Sequence, residues 1–122
     1  MKSRELIQAY HYTCDHGAQG IRRDGLIKTN PHPWLPIPLA WFTDLDAPIR
    51  DALGLTSQIL TCDRTEHRFE ASPHGLLWWP IYARELSAEI RWGLESAPGA
   101  LPMHWWISDR DVPVRQPEAV AS

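Results

Sequence analysis

The chain has 122 residues, 43% of them hydrophobic, and a net charge of −3. That length is close to the commonest domain size and supports one apolar core without disulfides or a metal. The charge excludes the basic stripe of a dedicated nucleic-acid binder, and the apolar runs fall far short of the roughly 20 residues of a membrane span, so neither partner is expected.

Met1–Tyr12 lacks the apolar core of a signal peptide. Two cysteines, Cys14 and Cys62, make no disulfide framework, and a cytoplasmic setting follows as the expectation. The basic residues are ten Arg and two Lys, a bias suited to planar recognition of carboxylate or phosphate.

Leu6–Thr13 mixes apolar and β-prone residues and reads as a first strand. Asp15 offers an N-cap to a short helix through Ile21, which Gly25 stops as a left-handed cap. Leu26–Lys28 is a brief strand, and Asn30–Pro38, with four prolines, is an irregular loop. Leu39–Thr43 reads as a buried strand. Asp44 then caps a helix carrying Leu45, Ile49 and Leu53 on one face, closed by Gly54.

Gln58–Cys62 and His67–Ala71 read as two strands joined by the polar turn 63–66, and Ser72–Gly75 as a further turn. Pro80–Leu94 is the longest helix predicted, with Ile81, Glu85, Ala88 and Trp92 roughly on one face. Met103–Ser108 and Val112–Val114 are the last strands, before a disordered tail over 116–122. The fold class expected is therefore α+β. Residues 1–115 form one compact domain of short, mainly antiparallel strands with two or three helices.

Seven of the twelve aromatic residues are tryptophans, and Trp78-Trp79 and Trp105-Trp106 are adjacent pairs. Neighbours on a strand point to opposite faces, which puts one Trp of each pair in the core and the other on a surface or in a cleft, unless both pack under loops.

His11-Tyr12-Thr13 ends the first strand, a helix follows, and then Gly25-Leu26. This arrangement resembles the opening motif of the ADP-ribosyltransferase superfamily, whose His-x-Thr segment begins the NAD pocket. The resemblance implies an ADP-ribosyltransferase-like fold with NAD as co-substrate. It gives His11 to the nicotinamide ribose and the strand backbone at Tyr12 and Thr13 to the nicotinamide amide. On the strand after the loop, Trp41 or Phe42 takes the place of the aromatic that stacks on nicotinamide, while Arg22 and Arg23 reach the pyrophosphate. The family's third motif, a Glu or Gln on a late strand, has no counterpart in His104-Trp105-Trp106-Ile107-Ser108. The candidate catalytic acids are Glu66, Glu70 and Asp109; at the late strand, only His104 and Asp109, the residue just after it, are polar enough and near enough to substitute.

Three other readings compete. Cys14, His16, Cys62 and His67 have the ligand types zinc prefers, without Cys-x2-Cys spacing, so no metal ligand is assigned. Cys14 or Cys62 with a histidine base is a thiolate arrangement that lacks an oxyanion-hole signature. The strongest alternative is a non-catalytic module that binds a protein partner through exposed Trp and Arg, the residues most enriched in binding hot spots. Compact Trp-rich proteins of this size are common among phage and prophage accessory genes, including inhibitors of host defence proteins. Each proposed site residue also has a bland reading. His11 suits a core histidine bonded to a backbone carbonyl, and Arg22 and Arg23 suit a solvated helix face.

Overall fold

A computed structural model describes residues 8–13, 15–45, 67–96 and 100–114. They form an α+β arrangement of β1 (Ala9–Thr13), α1 (Asp15–Asp24), β2 (Leu26–Ile27), β3 (Ala40–Thr43), β4 (His67–Ala71), β5 (Leu77–Trp78), α2 (Trp79–Tyr82), α3 (Ala88–Glu95), β6 (Trp105–Ser108) and β7 (Val112–Pro113). Five strands make one antiparallel sheet in the order β4-β1-β3-β6-β5, and β2 pairs with β7 in a separate ribbon. None of the helices is long and apolar enough to cross a membrane.

The sheet is covered on both faces. On one, Ala9, Phe42, Phe69, Ala71 and Trp106 pack with Ala18 and Ile21 of α1 and with Ile27 and Val112 of the ribbon. Ala18 and Ile21 lie three apart and share the inward face of α1, while Gln19, Arg22 and Arg23 point outward. Gly25, at φ 69°, ends the helix in the left-handed region, and its N–H donates to the Ile21 carbonyl at 2.7 Å. Gly17 meets the strand it follows: a Cβ there would lie 3.2 Å from Thr13 Cβ and inside contact distance of Thr13 Oγ1.

The opposite face carries Trp105 and Ile107, packed against Leu39, Trp79 and Ala83, with Trp41, Leu86 and Leu94 beside them. Trp79 is fully buried, its ring 5.0 Å from Trp41 and 6.1 Å from Trp105. Its indole N–H donates to Glu95 Oε2 at 2.7 Å, which ties α3 to α2. The proline-rich loop is pinned at its base by reciprocal Asn30–Leu39 backbone bonds of 3.1 and 3.2 Å.

Several expectations change. The helix foreseen over Pro80–Leu94 is broken. α2 passes into one turn of 3-10 helix, Ala83–Glu85, then Leu86 becomes extended and Ser87 caps α3 by accepting from Ile90 N–H at 3.2 Å. A serine hydroxyl competes for backbone N–H groups and restarts the helix here. The face proposed from Ile81, Glu85, Ala88 and Trp92 therefore does not form, and Trp92 is 74% exposed. Trp105 and Trp106 are both buried, because helices cover one face and α1 with the ribbon covers the other. Leu77-Trp78, given no element from the sequence, is the edge strand β5, and the strand expected from Met103 begins at Trp105 after a 3-10 turn, Pro102–His104. The predicted helix after Asp44, the strand Gln58–Cys62, the turn 63–66 and the tail 116–122 lie outside the described residues, except Leu45.

Glu95→Ala, which leaves the buried Trp79 N–H without an acceptor, should destabilise the fold by about 1–3 kcal/mol in denaturant unfolding. Glu95→Gln keeps an acceptor oxygen and should lose less than half as much.

Candidate functional site

Period-two alternation divides the proposed site residues between the sheet's faces. The register sets His11 opposite Phe69, Phe42 opposite Trp106 and Trp106 opposite Trp78, a single row across the sheet. His11 sits in that row on β1, an interior strand between β4 and β3. Its Nδ1 lies 2.7 Å from the Trp41 carbonyl oxygen, which only accepts, so Nδ1 carries the hydrogen. The Phe42 ring lies 5.8 Å from the imidazole at 59°.

Tyr12, Trp41 and Glu70 project from the opposite face. Tyr12 donates its hydroxyl to the Leu45 carbonyl at 3.0 Å. Trp41 belongs to the tryptophan cluster with Trp79 and Trp105, and Glu70 stands opposite Tyr10. The structure thus brings His11 and Phe42 together and separates both from Trp41 and Glu70. Phe42 is 4% exposed, so its ring backs the imidazole from within the core. Thr13 shares the His11 face and closes against Gly17.

Arg22 and Arg23 occupy the exposed last turn of α1. Arg22 Nη2 lies 3.4 Å from His67 Nδ1, and Arg23 pairs with Asp24 at 3.2 Å, which pushes the guanidinium further up and the Asp24 carboxyl down. Asp109 is exposed beyond the end of β6, 4.0 Å from Arg110 Nε. Its charge acts on Tyr82. The Tyr82 phenol is raised above its ordinary value by burial first, then by the negative charges of Glu85 and Asp109. Glu66, Cys14 and Cys62 lie outside the described residues, as does the His16 side chain. Among the described residues no three His, Cys, Asp or Glu side chains gather as metal ligands.

One polar group on the His11 face was not foreseen. Asp44, the residue after β3, accepts from His104 Nδ1 through Oδ1 at 2.6 Å and from the Trp106 indole N–H through Oδ2 at 3.1 Å. Its own N–H donates to the His104 carbonyl at 3.3 Å, extending the β3–β6 ladder by one step. Asp44 and His104 keep 16% and 20% of their side-chain surface exposed, a carboxylate–imidazole pair at the rim of the core. The carboxylate accepts only, so the His104 hydrogen sits on Nδ1 and Nε2 keeps its lone pair in the neutral ring. The sequence signal was present but split. Asp44 reads as a helix cap and His104 as a substitute for the family's late-strand Glu, and only the pairing of β3 with β6 joins them.

Neither protein-family models, curated proteins nor solved structures give a match to this chain. The chemistry is therefore argued from the arrangement itself.

The Tyr82 phenol holds its proton more tightly in the folded chain, so its contribution to stability is full below the unfolded phenol value near 10.0 and is lost as pH rises through the higher folded value. The unfolding midpoint should fall across that alkaline window, and Tyr82→Phe should flatten the fall.

Proposed function

We propose that this chain is a small NAD-binding domain of ADP-ribosyltransferase-like architecture that transfers ADP-ribose to an acceptor. The observation that carries the reading is His11. It stands on an interior strand of an antiparallel sheet with its ring fixed by the Trp41 carbonyl and backed by Phe42. Thr13 ends the same strand, α1 begins at Asp15, and Gly25 turns the chain into β2, the order on which the resemblance rests. An imidazole held in one orientation on a strand is suited to a ribose hydroxyl, and Arg22 and Arg23 on α1 present planar donors for a pyrophosphate.

In this reading the bond from the ribose anomeric carbon to nicotinamide breaks through an oxocarbenium-like state, which a fixed carboxylate stabilises. Glu70 faces away from His11 and Asp109 lies beyond β6, so neither meets that state in the arrangement described.

A second reading, capture of a protein partner without catalysis, is favoured by a different observation. Trp92 is 74% and Trp34 52% exposed, and the Trp34 ring lies over Gly93, next to Trp92. Exposed tryptophans are the kind of side chain that anchors an interface.

Calorimetric titration of NAD into the wild type, His11→Ala and Trp92→Ala separates the two. NAD binding predicts saturable heat in the wild type, weakened about tenfold or more in His11→Ala, the scale of one charge-free hydrogen bond lost with its packing. Trp92→Ala should bind as the wild type does. No heat at millimolar NAD would overturn the reading.

A further inference from the structure

The Asp44–His104 pair has no role in anything derived so far. It sits on the same sheet face as His11, two residues along β3 from Phe42, a rise of about 7 Å at strand geometry, and β3 is the direct neighbour of β1. Three hydrogen bonds link Asp44 to β6 and the turn that leads into it: Oδ1 to His104 Nδ1, Oδ2 to the Trp106 N–H, and the backbone N–H to the His104 carbonyl. Both carboxylate oxygens are thus held by donors two residues apart, His104 at the end of the 3-10 turn and Trp106 on β6. The carboxylate cannot swing without leaving the largely buried Trp106 indole N–H unpaired, a cost of about 1–3 kcal/mol.

The imidazole is oriented through one nitrogen, and its other nitrogen makes no hydrogen bond among the described residues. The ring is bonded on the carboxylate side and keeps a fifth of its side-chain surface open. An orienting carboxylate, a fixed tautomer and a second ring nitrogen left with its lone pair are the parts of a general base.

We propose that His104 is the general base that activates the acceptor in ADP-ribose transfer, with Asp44 and Trp106 as its positioning residues. The assignment rests on the NAD reading above and fills the place left by the missing late-strand Glu with an imidazole. In the step, the acceptor's O–H or N–H proton passes to His104 Nε2 as the acceptor atom bonds to the ribose anomeric carbon. The anomeric carbon–nitrogen bond breaks, and its electron pair stays with the ring nitrogen of nicotinamide, which leaves neutral. His104 then returns the proton to solvent. With water as acceptor the products are ADP-ribose, nicotinamide and a proton, so atoms and charge balance without an oxidant or a metal.

The test measures NAD binding by calorimetry and nicotinamide release by chromatography on the same full-length samples: wild type, His104→Ala and His104→Gln. Circular dichroism confirms that at least one variant is folded. The expected result is NAD affinity within about threefold of wild type, with release slowed about 100-fold or more, the usual contribution of a positioned base. Added imidazole should restore release in His104→Ala, in proportion to its concentration, and leave His104→Gln unrestored, which loss of structure alone would not produce. NAD binding with undiminished release in the variants, or with no release in the wild type in the presence of either water or added nucleophiles, overturns the role of His104 and leaves the NAD reading standing. Absence of NAD binding in the wild type overturns that reading, and the assignment with it.

Discussion

The pairing of β3 with β6 is the constraint on which the rest of the molecule depends. Its register, from Ala40 opposite Ser108 to Thr43 opposite Trp105, decides which way every large side chain at the centre of the sheet points. Trp106 and Phe42 go to one face with α1, and Trp105 and Ile107 go to the other with α2. A slip of one residue would exchange the two sets, putting each tryptophan against a surface shaped for the other. The same register carries Asp44 one step past the strand to His104, so the packing of the core and this polar cluster at its rim follow from one alignment.

The tryptophans explain how so short a chain covers a sheet on both sides. Trp79 fills the centre of the helical layer, in contact range of Trp41, Trp105 and Tyr82, and its one polar atom is met by Glu95. Trp106 and Trp78 do the same on the other side, with their N–H groups met by Asp44 and by the Met103 carbonyl at 2.7 Å. Large rings reduce the number of residues needed for a core, but each brings a donor that must be satisfied. The acceptors found for these donors, Glu95 and Asp44, are thereby fixed in place. In Asp44 that fixation also orients an imidazole.

Local signals in the sequence carried much of the fold. The β-prone run ending at Thr13, the left-handed Gly25, the prolines between Asn30 and Pro38, and the apolar Ala40–Thr43 each act through their own backbone preferences, and the corresponding elements are present. Where the outcome turned on competition or on distant pairing, the reading failed. Ser87 is an ordinary residue inside a helical pattern until its hydroxyl takes the Ile90 N–H, and Leu77-Trp78 becomes a strand only because β6 lies beside it. The site divides in the same way. His11 was visible from its strand and its motif, and alternation alone separates Phe42 from Trp41 once the strand is known. Asp44 and His104 are sixty residues apart and meet only through the sheet order β1-β3-β6, which no local pattern encodes.

The most direct measurement of this account is the tautomer of His104, read from long-range proton–nitrogen correlation in a nitrogen-15-labelled sample at a pH where the ring is neutral. The predicted result is a hydrogen on Nδ1 in the wild type, with the Trp106 indole proton protected from exchange, and loss of both features in Asp44→Ala. An Nε2-protonated ring in the wild type, with a freely exchanging Trp106 indole, would contradict it: the carboxylate would then hold neither donor, and β3 and β6 would not be in the register on which the site depends.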